Sequence, residues 1–143
     1  MHKKYKKTNC KVINTEPSYY NNSEYKLKID KSTITNAGDG VFALEPIAKN
    51  KFIGYYEGDV MFHIKCGSYY ISINDECGIN AICYPRCYMA MINDTYKTDY
   101  KYNCEFIINK SNDDYNKKVE IWSISDINTN EELFISYGNH YWI

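Results

Sequence analysis

From Tyr25 onward, apolar residues recur at every second position in short bursts, and no stretch sustains the three-to-four spacing of a long amphipathic helix. YKLKI alternates as a strand does, and a turn-prone TNAGDG separates it from VFAL. KFIGYYEGDV is strand-like again, with Gly58 and Asp59 as a turn signal, and SYYISIND and GINAI flank a DEC turn. EFIINK, KVEIWSI and ELFISYG supply late strands, while RCYMAMIN is the best short helical candidate. This pattern predicts a mostly β domain of short strands, more barrel- or clip-like than doubly wound. AGDGVFAL is not a dinucleotide fingerprint, because it is not followed by a long helix. Taken alone, Gly38 and Gly40 make a tight turn, glycine being free to adopt positive φ.

A chain of 143 residues has room for one compact domain, burying roughly two thirds of its unfolded surface. Residues 1–25 are polar and aperiodic and read as a loosely ordered arm, with residues 26–143 as the domain. Lys3, Lys4, Lys6 and Lys7 read as a solvated tail, with a localisation or binding patch as the alternative. Lys+Arg number 17 and Asp+Glu 18, so the net charge is -1 and direct nucleic-acid binding is not expected. No apolar run approaches the roughly 20 residues of a membrane span, and MHKKYKKTNC lacks the apolar core of a signal peptide. The expectation is a soluble, intracellular protein with no membrane partner.

The six cysteines, Cys10, Cys66, Cys77, Cys83, Cys87 and Cys104, suggest disulfides or metal. The lack of a signal peptide counts against disulfides. Cys83 and Cys87 in CYPRC stand one residue wider than C-x-x-C, with no second close pair to complete a tetrahedral site. Reduced, mostly buried thiols and no metal are expected, zinc staying open only if distant cysteines converge. The 16 tyrosines accompany an excess of Asn, Lys and Ile that a coding bias towards A and T would also produce. A tyrosine therefore counts only through its place in a motif.

Five segments fall in one order: GDGVFAL, IAKNKFIGYYEGDV, SYYISINDECGINA, MINDTYKTDYKYNCEF and EELFISYGNHYW. Over about residues 26–143 this series resembles the SET domain of protein lysine methyltransferases. That family carries a G-x-G turn, a strand ending near Y-x-G-E, a tyrosine-bearing strand leading into I-D-A, an R-F-I-N-H-S-C-x-P-N segment and E-E-L-x-x-D-Y-G. The brevity and the ending S-Y-G-x-x-Y-W are most similar to the minimal SET proteins of large DNA viruses. Departures are Ala90 at the family's arginine, Asp94 at its histidine, Tyr102 at its proline, Ser136 at its aspartate, and a longer loop between Asn93 and Asn103.

The resemblance implies a SET β-clip whose Asn93-Asp94 segment and C-terminal strand thread past each other as a pseudoknot. It also implies methyl transfer from S-adenosyl-L-methionine to the side-chain amine of a protein lysine. Tyr137 and Tyr69 would be the catalytic residues, and Tyr69, Ile135, Tyr137 and Tyr141 the substrate channel. Gly38, Asp39, Gly40, Asn93, Asp94 and Trp142 would contact the cofactor. Such a displacement needs alignment, not a nucleophilic side chain or a metal. A buried channel beside a sulfonium lowers the acceptor's pKa without a histidine base, which suits a chain whose only histidines are His2, His63 and His140. Ile135, two residues before Tyr137, lacks a hydroxyl, so room for a second and third methyl is expected. The implied substrate is a histone tail or other basic peptide added as a strand, flanked by Glu57, Asp59, Asp75 and Glu76. The implied assembly is a homodimer.

The same residues also have ordinary readings. Asn93 and Asp94 are common turn and cap residues, and a tyrosine before glycine is often core with its hydroxyl satisfied. Two rival classes stay open: a SET-like scaffold that binds a peptide or partner with weak or no catalysis, and a small all-β protein with a zinc-linked scaffold.

Overall fold

The computed structural model describes residues 16–62, 68–108 and 118–137. Among them the alternating stretches become short strands: β1 (Tyr19–Tyr20), β2 (Leu27–Lys31), β3 (Asp39–Ala43), β4 (Phe52–Tyr55), β5 (Asp59–Phe62), β6 (Tyr70–Ser72), β7 (Cys77–Asn80), β8 (Arg86–Cys87), β9 (Asn93–Asp94), β10 (Cys104–Ile108), β11 (Val119–Ser123) and β12 (Phe134–Ile135). The helical candidate RCYMAMIN shrinks to one 3-10 turn, Tyr88–Met91, because Arg86 and Cys87 before it are extended and pair with β1.

Among the described residues the strands form four small sheets. β2 and β3 form an antiparallel hairpin, and β5, β7 and β6 a three-stranded antiparallel sheet with β7 in the middle. The largest sheet runs β4-β11-β10-β12-β9. β11 keeps a two-residue rhythm, with Val119, Ile121 and Ser123 buried and Glu120 and Trp122 half-buried. Gly40, Val41, Phe42 and Ala43 are instead buried in succession, since β3 pairs with β2 on one side and meets the 131–133 segment on the other, where Leu133 N donates to Val41 O at 2.8 Å. Paired along both edges, β3 is an interior strand, and the 3-10 turn Tyr88–Met91 packs against it.

The largest sheet also contains the expected threading. After β9 the chain runs out through β10 and β11, then returns to insert β12 between β10 and β9, parallel to both. Parallel neighbours cannot be joined by a tight hairpin, so this arrangement must be closed over long loops. Behind Glu132 the returning segment is apolar: Leu133 and Ile135 are completely buried, in one core cluster with Ile47, Ile53 and Ile121. Each such side chain contributes on the order of 1.5–3 kcal/mol through burial.

Part of the stretch read as a loose arm is tied down. Tyr19 and Tyr20 pair in parallel with Arg86 and Cys87, and Glu24 N donates to Ile53 O at 2.9 Å. The cysteines are also not uniformly reduced. Cys83 is disulfide-bonded, whereas Cys77, Cys87 and Cys104 are buried and free. Burial pushes the Cys87 and Cys104 thiols above their usual range, so they behave as core apolar groups. Cys10 and Cys66 lie outside the described residues.

Candidate active site

A cavity of about 790 Å³ opens where the 34–39 turn, the start of β6, the 3-10 turn, β9 and Tyr137 converge. The turn takes its shape from two left-handed residues, Asn36 at φ 64° and Gly38 at φ 71°. Ser32 N donates to Gly38 O at 2.8 Å and closes it. Gly40 lies behind this wall, where an added methyl would run into Glu132 Oε2.

Glu132 is 5% exposed and joins distant segments. Its Oε1 accepts from Thr33 N at 2.8 Å and Thr33 Oγ1 at 2.7 Å, and its Oε2 from Ser32 Oγ at 2.7 Å and Asn93 Nδ2 at 3.4 Å. Asn93 Nδ2 also donates to Asp39 O at 3.0 Å. One buried carboxylate thus holds the glycine turn against the threaded strands through charge-assisted bonds.

Tyr137 is fixed at both ends. Its N–H donates to Asp94 Oδ2 at 2.7 Å and its hydroxyl to Ile92 O at 2.7 Å, while its ring stacks on Phe106 with centroids 5.5 Å apart. Asp94 Oδ1 accepts from Tyr96 N at 2.7 Å. Phe106 in turn meets Tyr56 edge-on at 6.1 Å.

The opposite wall is aromatic and centred on Arg86, which is 4% exposed. Its guanidinium lies 3.7 Å over the Tyr69 ring and 4.4 Å over the Tyr84 ring. Nε donates to Ala81 O at 2.9 Å, Nη2 to Ile82 O at 2.6 Å and Nη1 to Met91 Sδ at 3.6 Å. Tyr69 has a left-handed backbone, φ 62°.

The family model for the SET domain matches residues 38–138, more than half of the chain. The chain belongs to the SET domain family. The SET fold is shared with solved structures of polycomb repressive complex 2. One from Chaetomium thermophilum superposes with TM-score 0.69 at 23% identity, covering 82% of this chain and 16% of that chain. The same complex in an autoinhibited conformation bound to S-adenosylmethionine gives 0.68 at 23%, with 82% and 16% covered. An active complex in the stimulated state gives 0.68 at 23%, with 80% and 15% covered. This chain therefore spans about a sixth of the length of the chains it resembles, and at this identity the likeness is one of fold. No curated protein matches.

In this SET domain the cavity brings together Gly38, Asp39, Tyr69, Asn93, Asp94 and Tyr137, from segments up to a hundred positions apart. Ile135 does not line it. Its side chain is fully buried in the core, where its backbone pairs with Asp94 on one side and Cys104 on the other. Tyr141, Trp142, His63 and His140 lie outside the described residues. Sequence reasoning gave no role to Tyr56, Arg86 or Glu132. Tyr56 and Arg86 line the cavity, and Glu132 braces it from behind. Glu132 stands inside the EELFISYG motif, and Arg86 carries a signal of its own as the only arginine in the chain. Among the described residues no cluster of three or more His, Cys, Asp and Glu side chains could hold a metal ion.

Proposed function

We propose that this SET domain transfers a methyl group from S-adenosyl-L-methionine to the side-chain amine of a protein lysine. The observation that carries the reading is Tyr137: a half-buried phenol, fixed through its hydroxyl to Ile92 O, in one cavity with the Gly38-Asp39 turn and Asn93. The polar side of that cavity fits the cofactor's amino-acid end. Asn93 uses its amide nitrogen on Asp39 O and Glu132, which leaves its amide oxygen to accept from an ammonium group. The turn's backbone and the exposed Asp39 carboxylate add further partners, Asp94 contributes backbone contacts beside them, and Trp142 would close over the adenine.

When bound, the cofactor supplies an electrophilic methyl that moves to nitrogen as its bond to sulfur breaks. Tyr69, Tyr137 and Tyr56 wall the acceptor channel, exclude water and present electron-rich faces to cationic carbon. The Tyr137 hydroxyl donates its hydrogen to Ile92 O, so toward an incoming amine it acts as an acceptor. A lysine with a reference pKa of about 10.4 must arrive neutral, and burial in such a channel beside positive charge favours the neutral form. Alignment then supplies most of the rate.

A histone tail or similar basic peptide is the substrate class we favour. Among the described residues β6 is an edge strand of its sheet, the kind of edge to which an extended peptide adds, and Asp75 and Glu76 are exposed beside it. Kinship with the short viral type, a homodimeric state and action in nucleus or cytoplasm belong to the same reading. A second reading rests on Asp94, whose carboxylate is occupied by the Tyr137 and Tyr96 amides: a cofactor-free scaffold that binds a peptide without catalysis. The test is radiolabelled methyl transfer to mixed histones and a lysine peptide library, beside calorimetry with the cofactor and Tyr137→Phe as control. Lysine-bound label lost in the control supports transfer. Peptide binding with neither label nor cofactor heat favours the scaffold.

A further inference from the structure

Lys and Arg together number 17, and position 86 is the only arginine among them. A chain that uses lysine everywhere else places its one guanidinium, 4% exposed, in the cavity wall. Among the described residues no carboxylate forms an ion pair with it, the single salt bridge there being Lys28–Asp30. Its charge is met instead by the carbonyls of Ala81 and Ile82, the sulfur of Met91 and the faces of Tyr69 and Tyr84.

These contacts close a ring on Tyr69. Arg86 Nε donates to Ala81 O, and Ala81 N donates to Tyr69 O at 2.8 Å, while the guanidinium covers the Tyr69 ring at 3.7 Å. Tyr69 is held by backbone and ring together, in a left-handed conformation that residues with a Cβ seldom adopt. Such a conformation persists only where the surroundings over-determine it. Lysine would not serve. Its single ammonium on a flexible stem cannot bond two carbonyls in a fork while lying flat on an aromatic face.

We propose that Arg86 is a positioning residue that clamps Tyr69 in the cavity wall, so that the acceptor amine meets a fixed aromatic surface. The functional consequence rests on the methyltransferase reading, whereas the clamp itself does not. Arg86→Lys is expected to lower kcat on the order of ten- to a hundredfold through misplacement of Tyr69. Calorimetric affinity for S-adenosylhomocysteine should change by no more than about twofold, as should kcat when the same substitution is made in a Tyr69→Ala background. Equal losses in both backgrounds, or a loss confined to cofactor affinity, overturn the proposal.

A second measurement needs neither a variant that folds nor a reaction. In wild-type protein with labelled tyrosine and arginine, nuclear Overhauser contacts should connect the Arg86 side chain with the Tyr69 ring, and the Arg86 Nε proton should exchange slowly. Absence of both overturns the clamp. Presence of both in a protein that transfers no methyl overturns the methyltransferase reading and leaves the clamp standing.

Discussion

The two walls of the cavity solve one problem with opposite chemistry. On the polar wall, acidic acceptors gather many donors: Glu132 collects Ser32, Thr33 and Asn93, and Asp94 collects the amides of Tyr96 and Tyr137. On the aromatic wall a single basic donor gathers many acceptors, two carbonyls, a sulfur and two ring faces. The polar wall is also long-range, its Ser32–Glu132 bond spanning a sequence separation of 100, while Arg86 finds its carbonyls five and four residues back. The polar wall thus exists only once β12 has threaded into its sheet, whereas the contacts of the Arg86 side chain lie within the 69–91 stretch, with β1 docking on its backbone.

The largest expected effect falls where the polar wall meets the cavity. Tyr137→Phe removes the hydroxyl bond to Ile92 O, and methyl transfer should drop on the order of 10²–10³-fold, as when one positioned polar group is lost from other active sites. Stability should fall by only about 1 kcal/mol, because a single neutral hydrogen bond is lost. Single-turnover kinetics beside urea denaturation separate the two. A variant that keeps most of its rate would remove Tyr137 from the chemistry.

Next comes Glu132→Ala, which strands the buried hydroxyl of Ser32 and takes from the exposed Thr33 the acceptor of both its amide and its hydroxyl. We expect a loss of about 3 kcal/mol in urea denaturation, several times that for an exposed glutamate such as Glu131, since unsatisfied buried groups retain their full desolvation cost. Cofactor affinity should fall with it, because Asn93 loses one of its two anchors. A mild effect on both would mean that the threading holds without this carboxylate.

The difference between the walls also explains what could be read in advance. That Gly38, Asp39, Asn93 and Tyr137 converge on one cavity was legible because a turn and a threaded strand impose residue types at fixed places in order. Period two announced the strands, and KFIGYYEGDV divides into β4 and β5 next to its Gly58-Asp59 turn signal, although Asp59 itself already opens β5. Arg86 could not be placed, since stacking on Tyr69 leaves no periodicity behind. Ile135, expected in the channel, lies instead outside the cavity. Its place two residues before Tyr137 suggests the channel, but its side chain is fully buried in the core cluster. Cys83 was misread because the argument from compartment spoke to all six cysteines at once and not to this one.

Ile135→Val sharpens the same contrast at smaller scale. As a core residue outside the cavity it should cost about 1 kcal/mol of stability, the usual effect of one buried methylene. The ratio of mono-, di- and trimethylated product in mass spectra should not move. A shifted ratio at unchanged stability would return Ile135 to the channel.

The smallest effect belongs to the aromatic side, where β1 docks on β8. Burial first, then the Cys87 thiol and the Glu57 carboxylate, push the Tyr20 hydroxyl up to about 12. Its protonated form is therefore bound more tightly in the folded state. The contribution is complete below the ordinary tyrosine value of about 10, fades as pH rises from there and is gone above the folded value. Tyr20 is 40% exposed, so solvent screening keeps the size small. Urea midpoints at about pH 9 and about pH 11 should differ less in Tyr20→Phe than in the wild type, the two sharing every other alkaline titration, including those of Tyr19 and Cys87. Equal slopes in the two proteins would mean that β1 leaves β8 before Tyr20 ionises, and the aromatic wall would then hold by Arg86 alone.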